Sequence, residues 1–220
     1  MRSLLTTFAF LLPFRSLKIR LLNRLGHDIH PTAFVGICLV RNVARFELAE
    51  GAQIGHFNVF DGLDEIRLGR GSRILLLNYF MAGYTVGPGE ERGEYYKRLQ
   101  MGDNAHIVTL HVLDCSGGLV IADDCWITGV RSTVLTHAFD PQDGAIIVEP
   151  ITLEKGSLVA TSCTMLPGSV LGEGALLAAG STAWTRQELA AGSLHGGVPA
   201  RRLSPLKIAE RVYDLRRYTG

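Results

Sequence analysis

His137 is the side chain in this 220-residue sequence best placed for chemistry at neutral pH. It stands in the string STVLTHAFDP, where a loop leaves the chain's repeat. An imidazole there can remove a proton from a hydroxyl as that oxygen attacks an electrophile. None of the other histidines (His27, His30, His56, His106, His111, His195) sits at such an exit. Asp114 falls near the level of His137 once the chain's repeat is aligned, where a carboxylate could orient the imidazole or bind a substrate hydroxyl. Asp140, three residues after His137, is a second acidic candidate, although an aspartate before Pro141 also serves as a turn former. His111 and Arg131 occupy repeat positions otherwise filled by small residues. Aligned one coil apart, they put a cation beside an imidazole, an arrangement suited to an anion or a hydroxyl.

What positions these residues is a repeat of six. From Leu153 an apolar residue returns at Val159, Met165, Leu171, Leu177, Ala183 and Leu189. Four residues after each sits something small (Ser157, Cys163, Ser169, Ala175, Ser181, Ser193), with Gln187 the exception. Six matches neither a helix nor a hairpin. It matches a parallel β-helix in which each unit makes one side of a triangular coil, the apolar residue facing the axis and the small one at a corner. With short slips the register extends back through Ile121, Ile127 and Thr133; Met101, Ile107 and Leu113; Leu68, Ile74 and Phe80; Leu48, Ile54 and Phe60; and Ile29 and Val35. Two coils are too long by one loop each, residues 84–100 and 138–152. Both loops leave after the third side of their coil, two coils apart, so they should emerge from one edge roughly 10 Å apart and wall a common cleft. Loops on one face of a repeat protein mark its working face.

Residues 1–28 form a basic amphipathic segment broken at Pro13, with Leu17, Leu21, Leu22 and Leu25 set among Arg15, Lys18, Arg20 and Arg24. Its apolar run is shorter than the about 20 residues a bilayer requires. It reads as a helical cap on the first coil, or, through residues 1–25, as a contact with an anionic membrane surface. The β-helix domain is expected over 29–203. A short amphipathic helix is expected over 204–220, with Ile208, Val212 and Leu215 on one side. Basic and acidic residues nearly balance, 22 against 21, and no basic run interleaves with aromatics, which argues against a nucleic-acid partner. Cys38, Cys115, Cys125 and Cys163 form no CxxC pair and read as buried thiols of a reducing compartment, hence a cytoplasmic protein.

The blocks LDCSGGLVIADDCWITGVRSTVLTHAFD and GSLVATSCTMLPGSVLGEGALLAAGSTAWTRQELAAGSLHGGVPARRL resemble the catalytic and C-terminal coils of the hexapeptide-repeat acyltransferases, of the sugar and polysaccharide O-acetyltransferase type. The resemblance implies a left-handed coil, a homotrimer with active sites between adjacent subunits, acetyl-CoA as co-substrate and no metal. It implies that His137 activates an acceptor hydroxyl on a sugar or polysaccharide precursor. It places the backbone of Ala160, Thr161, Ala179 and Gly180 along the pantetheine arm, and Thr185, Arg201 and Arg202 near the nucleotide end, where Arg can bind phosphate bidentately. Two other readings share this coil. One is a γ-type carbonic anhydrase-like zinc protein, for which His106 and His111 resemble a ligand pair but no third histidine falls near residues 70–76, where three ligands are needed. The other is a non-catalytic trimeric scaffold.

Overall fold

The structure is a computed structural model and describes residues 2–87, 92–140 and 144–208. It is a parallel β-helix with three faces. The first face stacks eight strands from Asp28–Ile29 to Glu188–Leu189. The second runs from Phe34–Val35 to Ser193–Gly196 and ends on Arg201–Pro205, nine strands in all. The third stacks seven from Leu39–Arg41 to Thr182–Ala183. Stacked strands pair in parallel, so each inward residue lies on its counterpart one coil away. Ile54, Ile74, Ile107 and Ile127 form one fully buried column. Phe60 and Phe80 stack face to face at 4.8 Å in another.

One inward position differs from the sequence reading: Val134, not Thr133, faces the axis, paired with Leu113 below and Met165 above. The turn between Ile127 and Val134 is one residue longer than its neighbour between Ile107 and Leu113. Gly129 takes up the extra residue at φ +66°, and a Cβ there would meet Thr161 Cβ at 2.5 Å. A β-branched pair such as Thr133–Val134 fits a strand in either register.

Both ends of the coil are closed. Helices α1 (Arg2–Leu11) and α2 (Arg15–Arg24) lie on the first coil, burying Phe10 and Leu22 completely. Lys18 is 1% exposed and its ammonium donates to Val35 O at 3.0 Å and Gly36 O at 2.6 Å. Arg15 Nε donates to Ala33 O at 3.0 Å. Arg15 and Lys18 thus satisfy carbonyls that an end coil would otherwise leave unpaired. At the other end of the coil stand residues 201–205, only the last two of which fall within the helix expected over 204–220. They make a strand folded back antiparallel on Ser193–Gly196, which covers that edge of the second face; residues 209–220 lie outside the described ones.

Candidate active site

The chain leaves the coil after Val134 as a hairpin, His137–Phe139 pairing antiparallel with Ile146–Val148. The alternation in AFDP…AIIV suits strands, so the expected loop has its own ladder. His137 stands at its root, its side chain 33% exposed. Its Nδ1 lies 2.8 Å from Asp114 Oδ2. Asp114 is fully buried and collects four further hydrogen bonds. Ser116 N and Oγ donate to Oδ1 at 3.1 and 2.7 Å, and Thr136 N and Oγ1 donate to Oδ2 at 2.8 and 2.6 Å. Burial raises the carboxyl pKa, but the hydrogen bonds from Ser116, Thr136 and His137 outweigh it, leaving the net value below the usual one. An ionised carboxylate only accepts, so Nδ1 carries the proton and Nε2 presents its lone pair. That is the tautomer a general base needs.

The second loop contributes from the other side. The ring of Tyr84 stacks on the imidazole, centroids 5.3 Å apart and planes 19° from parallel. Its backbone N–H donates to Ser116 Oγ at 3.1 Å, which in turn donates to Asp114. The 84–100 and 138–152 segments therefore meet at His137. The far strand of the hairpin is anchored by Glu149, whose carboxylate accepts from Arg186 Nε at 2.8 Å. Gly168 sits beneath this pair, and a Cβ there would come within 2.3 Å of Glu149 Oε2.

Other candidates lie elsewhere. His111 and Arg131 do not stack. The extra residue at Gly129 brings Ser132 over His111, and Ser132 N–H donates to His111 Nδ1 at 3.1 Å. His111 is 1% exposed, and burial lowers its pKa to about 4. Arg131 lies over Leu110 instead, exposed at φ +61°. Asp140 sits near the hairpin tip, where its N–H donates to Ala145 O and its carbonyl accepts from Gly144 N–H. His106 belongs to the outer face of its sheet, stacked on Trp126 at 4.8 Å. Among the described residues no group of three His, Cys, Asp or Glu is arranged to hold a metal ion.

Ala160, Thr161, Ala179 and Gly180 gather on two successive turns between the second and third faces, where Gly180 N–H donates to Thr161 O. Thr161 Oγ1 is already engaged, accepting from Val130 N–H and donating to Val130 O. Thr185 lines a cavity of about 350 Å³ with Trp184, Gln187 and Pro199. Arg201 and Arg202 are exposed on the last strand, and Arg202 Nε donates to Ser193 Oγ. Sequence reasoning missed Ser116, Thr136, Tyr84 and Glu149. The hydroxyls two residues after Asp114 and one before His137 were visible as D-x-S and T-H, whereas Tyr84 and Glu149 reach the site by loop paths with no periodic signal.

No protein-family model matches the sequence, and no curated protein does. Solved structures do resemble it. A Bacillus cereus protein assigned as an acetyltransferase, the product of the BC4754 gene, has TM-score 0.57 at 18% identity, covering 85% of this chain and 91% of that one. The N-acyltransferase AntD from Bacillus cereus, solved with dTDP and coenzyme A, has TM-score 0.48 at 14% identity over 87% of this chain and 91% of its own. The hexapeptide-repeat acetyltransferase VCA0836 from Vibrio cholerae, solved with acetyl coenzyme A, has TM-score 0.46 at 16% identity over 94% and 86%. The first of these likenesses shows a shared fold: the β-helix described above is one that a solved protein of that kind also adopts.

Proposed function

We propose that the protein is an acetyl-CoA-dependent O-acetyltransferase whose acceptor is a hydroxyl of a sugar or polysaccharide precursor. The observation that carries the reading is the Asp114–His137 pair at the meeting point of the two loops. Nδ1–H is held by a buried carboxylate, which leaves the lone pair on Nε2 to act as the base. His137 takes the proton of the acceptor hydroxyl as its oxygen attacks the acyl carbon, and gives it to the departing sulfur. Asp114 fixes the ring and stabilises the imidazolium while it holds that proton. Acetyl-CoA, when bound, supplies the activated acyl group, and coenzyme A leaves as the thiol.

The residues implied for the donor fit it only across two copies. The Ala160, Thr161, Ala179 and Gly180 turns stand between the second and third faces, whereas His137 stands between the third and the first. Their placement at different corners supports a site shared between neighbouring copies of a homotrimer. Phe57, Leu77 and Leu110 are exposed on the same donor corner and supply an apolar contact for the neighbour. The acceptor class rests on the resemblance to sugar and polysaccharide acetyltransferases.

Thiol release from acetyl-CoA, measured with a panel of sugars and glycan fragments after metal chelation, tests this. Native protein should turn over with at least one acceptor, and His137→Ala should lose roughly 10²-fold or more, as for removal of a general base. No thiol release with any acceptor returns the scaffold reading. Activity that needs zinc and ignores His137 returns the lyase reading.

A further inference from the structure

The two N-terminal helices use only one side each against the coil. On α1, Thr6, Ala9 and Phe10 are buried, while Leu4, Leu5, Phe8 and Leu11 face outward. Phe8 is 66% exposed, and Phe14, in the turn between the helices, 67%. On α2, Lys18, Ile19 and Leu22 face the coil, and Leu17, Arg20 and Arg24 are exposed. The outer surfaces join: Leu5, Phe8 and Leu12 of the first segment and Leu21 and Leu25 of the second line one shallow apolar groove, with Arg24 among its walls.

Charge is segregated to the same place. The first 27 residues hold five of the chain's 22 basic side chains and none of its 21 acidic ones. Lys18 and Arg15 are bound to carbonyls of the coil, so capping the coil accounts for them. It does not account for Arg20 and Arg24, nor for a stripe of Leu and Phe pointing away from the core. Neither helix is long and apolar enough to cross a bilayer. Two short helices in one layer, with large apolar side chains outward and cations beside them, have the form of an element that lies in a bilayer interface.

We propose that the outer face of α1 and α2 docks the protein on an anionic lipid surface. Leu4, Phe8, Leu11 and Phe14 enter the acyl boundary, and Arg20 and Arg24 pair with headgroup phosphates. Charge complementarity favours this occupant over a second copy of the chain, because two copies meeting through this face would bring the cations of both together.

The test is flotation of the full chain with vesicles of phosphatidylcholine and phosphatidylglycerol at 7:3, against phosphatidylcholine alone. Anionic vesicles should bind it, and binding should fall with salt. Each Arg near such a surface contributes roughly five-fold, so the Arg20→Ala, Arg24→Ala double variant should bind about 25-fold more weakly. Phe8→Ser should weaken binding to both vesicle types. Unchanged circular dichroism and thermal unfolding would show that both variants keep the fold. The proposal is overturned if native protein does not float with anionic vesicles, or if its binding ignores both salt and the variants. Concentration-dependent self-association that Phe8→Ser abolishes, without lipid binding, would overturn it in favour of a contact between copies. Flotation needs no acyl donor, so its failure and the failure of the acyltransferase reading are separate results.

Discussion

Replacing Asp114 with asparagine changes one atom and removes the charge on which five hydrogen bonds converge. The amide keeps one acceptor oxygen and turns the other position into a donor. If its NH2 faces Ser116, Oγ can rotate to accept, but the Ser116 backbone N–H is left against another donor. If it faces Thr136, the Thr136 N–H is the one stranded, and His137 must move its proton to Nε2 to accept at Nδ1. Either way one buried N–H loses its partner, which costs about 1–3 kcal/mol, and the surviving bonds fall from charge-assisted to neutral strength, about 1 kcal/mol less for each. Part of that total is offset because a charge is no longer buried, which leaves an expected net loss on the order of 3 kcal/mol, or about 6–12 °C in Tm for a chain of this length. Turnover should drop by about 10²- to 10⁴-fold through the wrong or wandering tautomer. Thermal unfolding by circular dichroism reads the first quantity, thiol release the second, and the 15N shifts of the His137 ring report which nitrogen carries the proton. A variant with native Tm, native tautomer and native turnover would refute the claim that this carboxylate organises the site.

Two further outcomes follow from buried cations and would-be cations. Lys18→Met keeps the packing but strands the Val35 and Gly36 carbonyls, so urea unfolding should show a loss of about 1–3 kcal/mol; a variant more stable than native would mean the cost of burying the ammonium dominates. His27, His106 and His111 are each lowered to about 4, by burial first, with Arg2 and Arg45 adding to the effect at His27 and Arg73 at His106. Between about pH 6.5 and 4 the unfolded chain therefore binds protons the folded one refuses, and stability must fall as pH drops through that window, by at most about 3 kcal/mol per residue. A urea midpoint unchanged from pH 7 to pH 4.5 would contradict the burial of these rings.

Much of this was legible in the sequence because a solenoid writes its core at fixed intervals. Every inward position from Leu153 to Leu189 is buried as the spacing of six requires, and the partnership of Asp114 with His137 emerges from the same alignment. The register broke where the pattern carried no information. Thr133 and Val134 suit a strand equally, so the residue inserted at Gly129 was invisible, and with it the pairing of His111 with Ser132. The closing strand at Arg201–Pro205 was hidden for a related reason. Its residues have no apolar alternation, and they become a strand because the edge of Ser193–Gly196 has hydrogen bonds to fill. Tyr84 arrives from a loop whose path no periodicity encodes.

The regular rise of the coil also makes the molecule a ruler. Four rungs separate the strand Leu119–Ile121, in the coil that ends at His137, from Asp28–Ile29, on which the helices rest. At 4.8 Å per rung that is about 19 Å. Whatever surface the helices sit on, the coil holds His137 at a set height above it. Adding or deleting one whole coil between Leu48 and Leu68 would move that height by one graduation and leave the Asp114–His137 contact untouched.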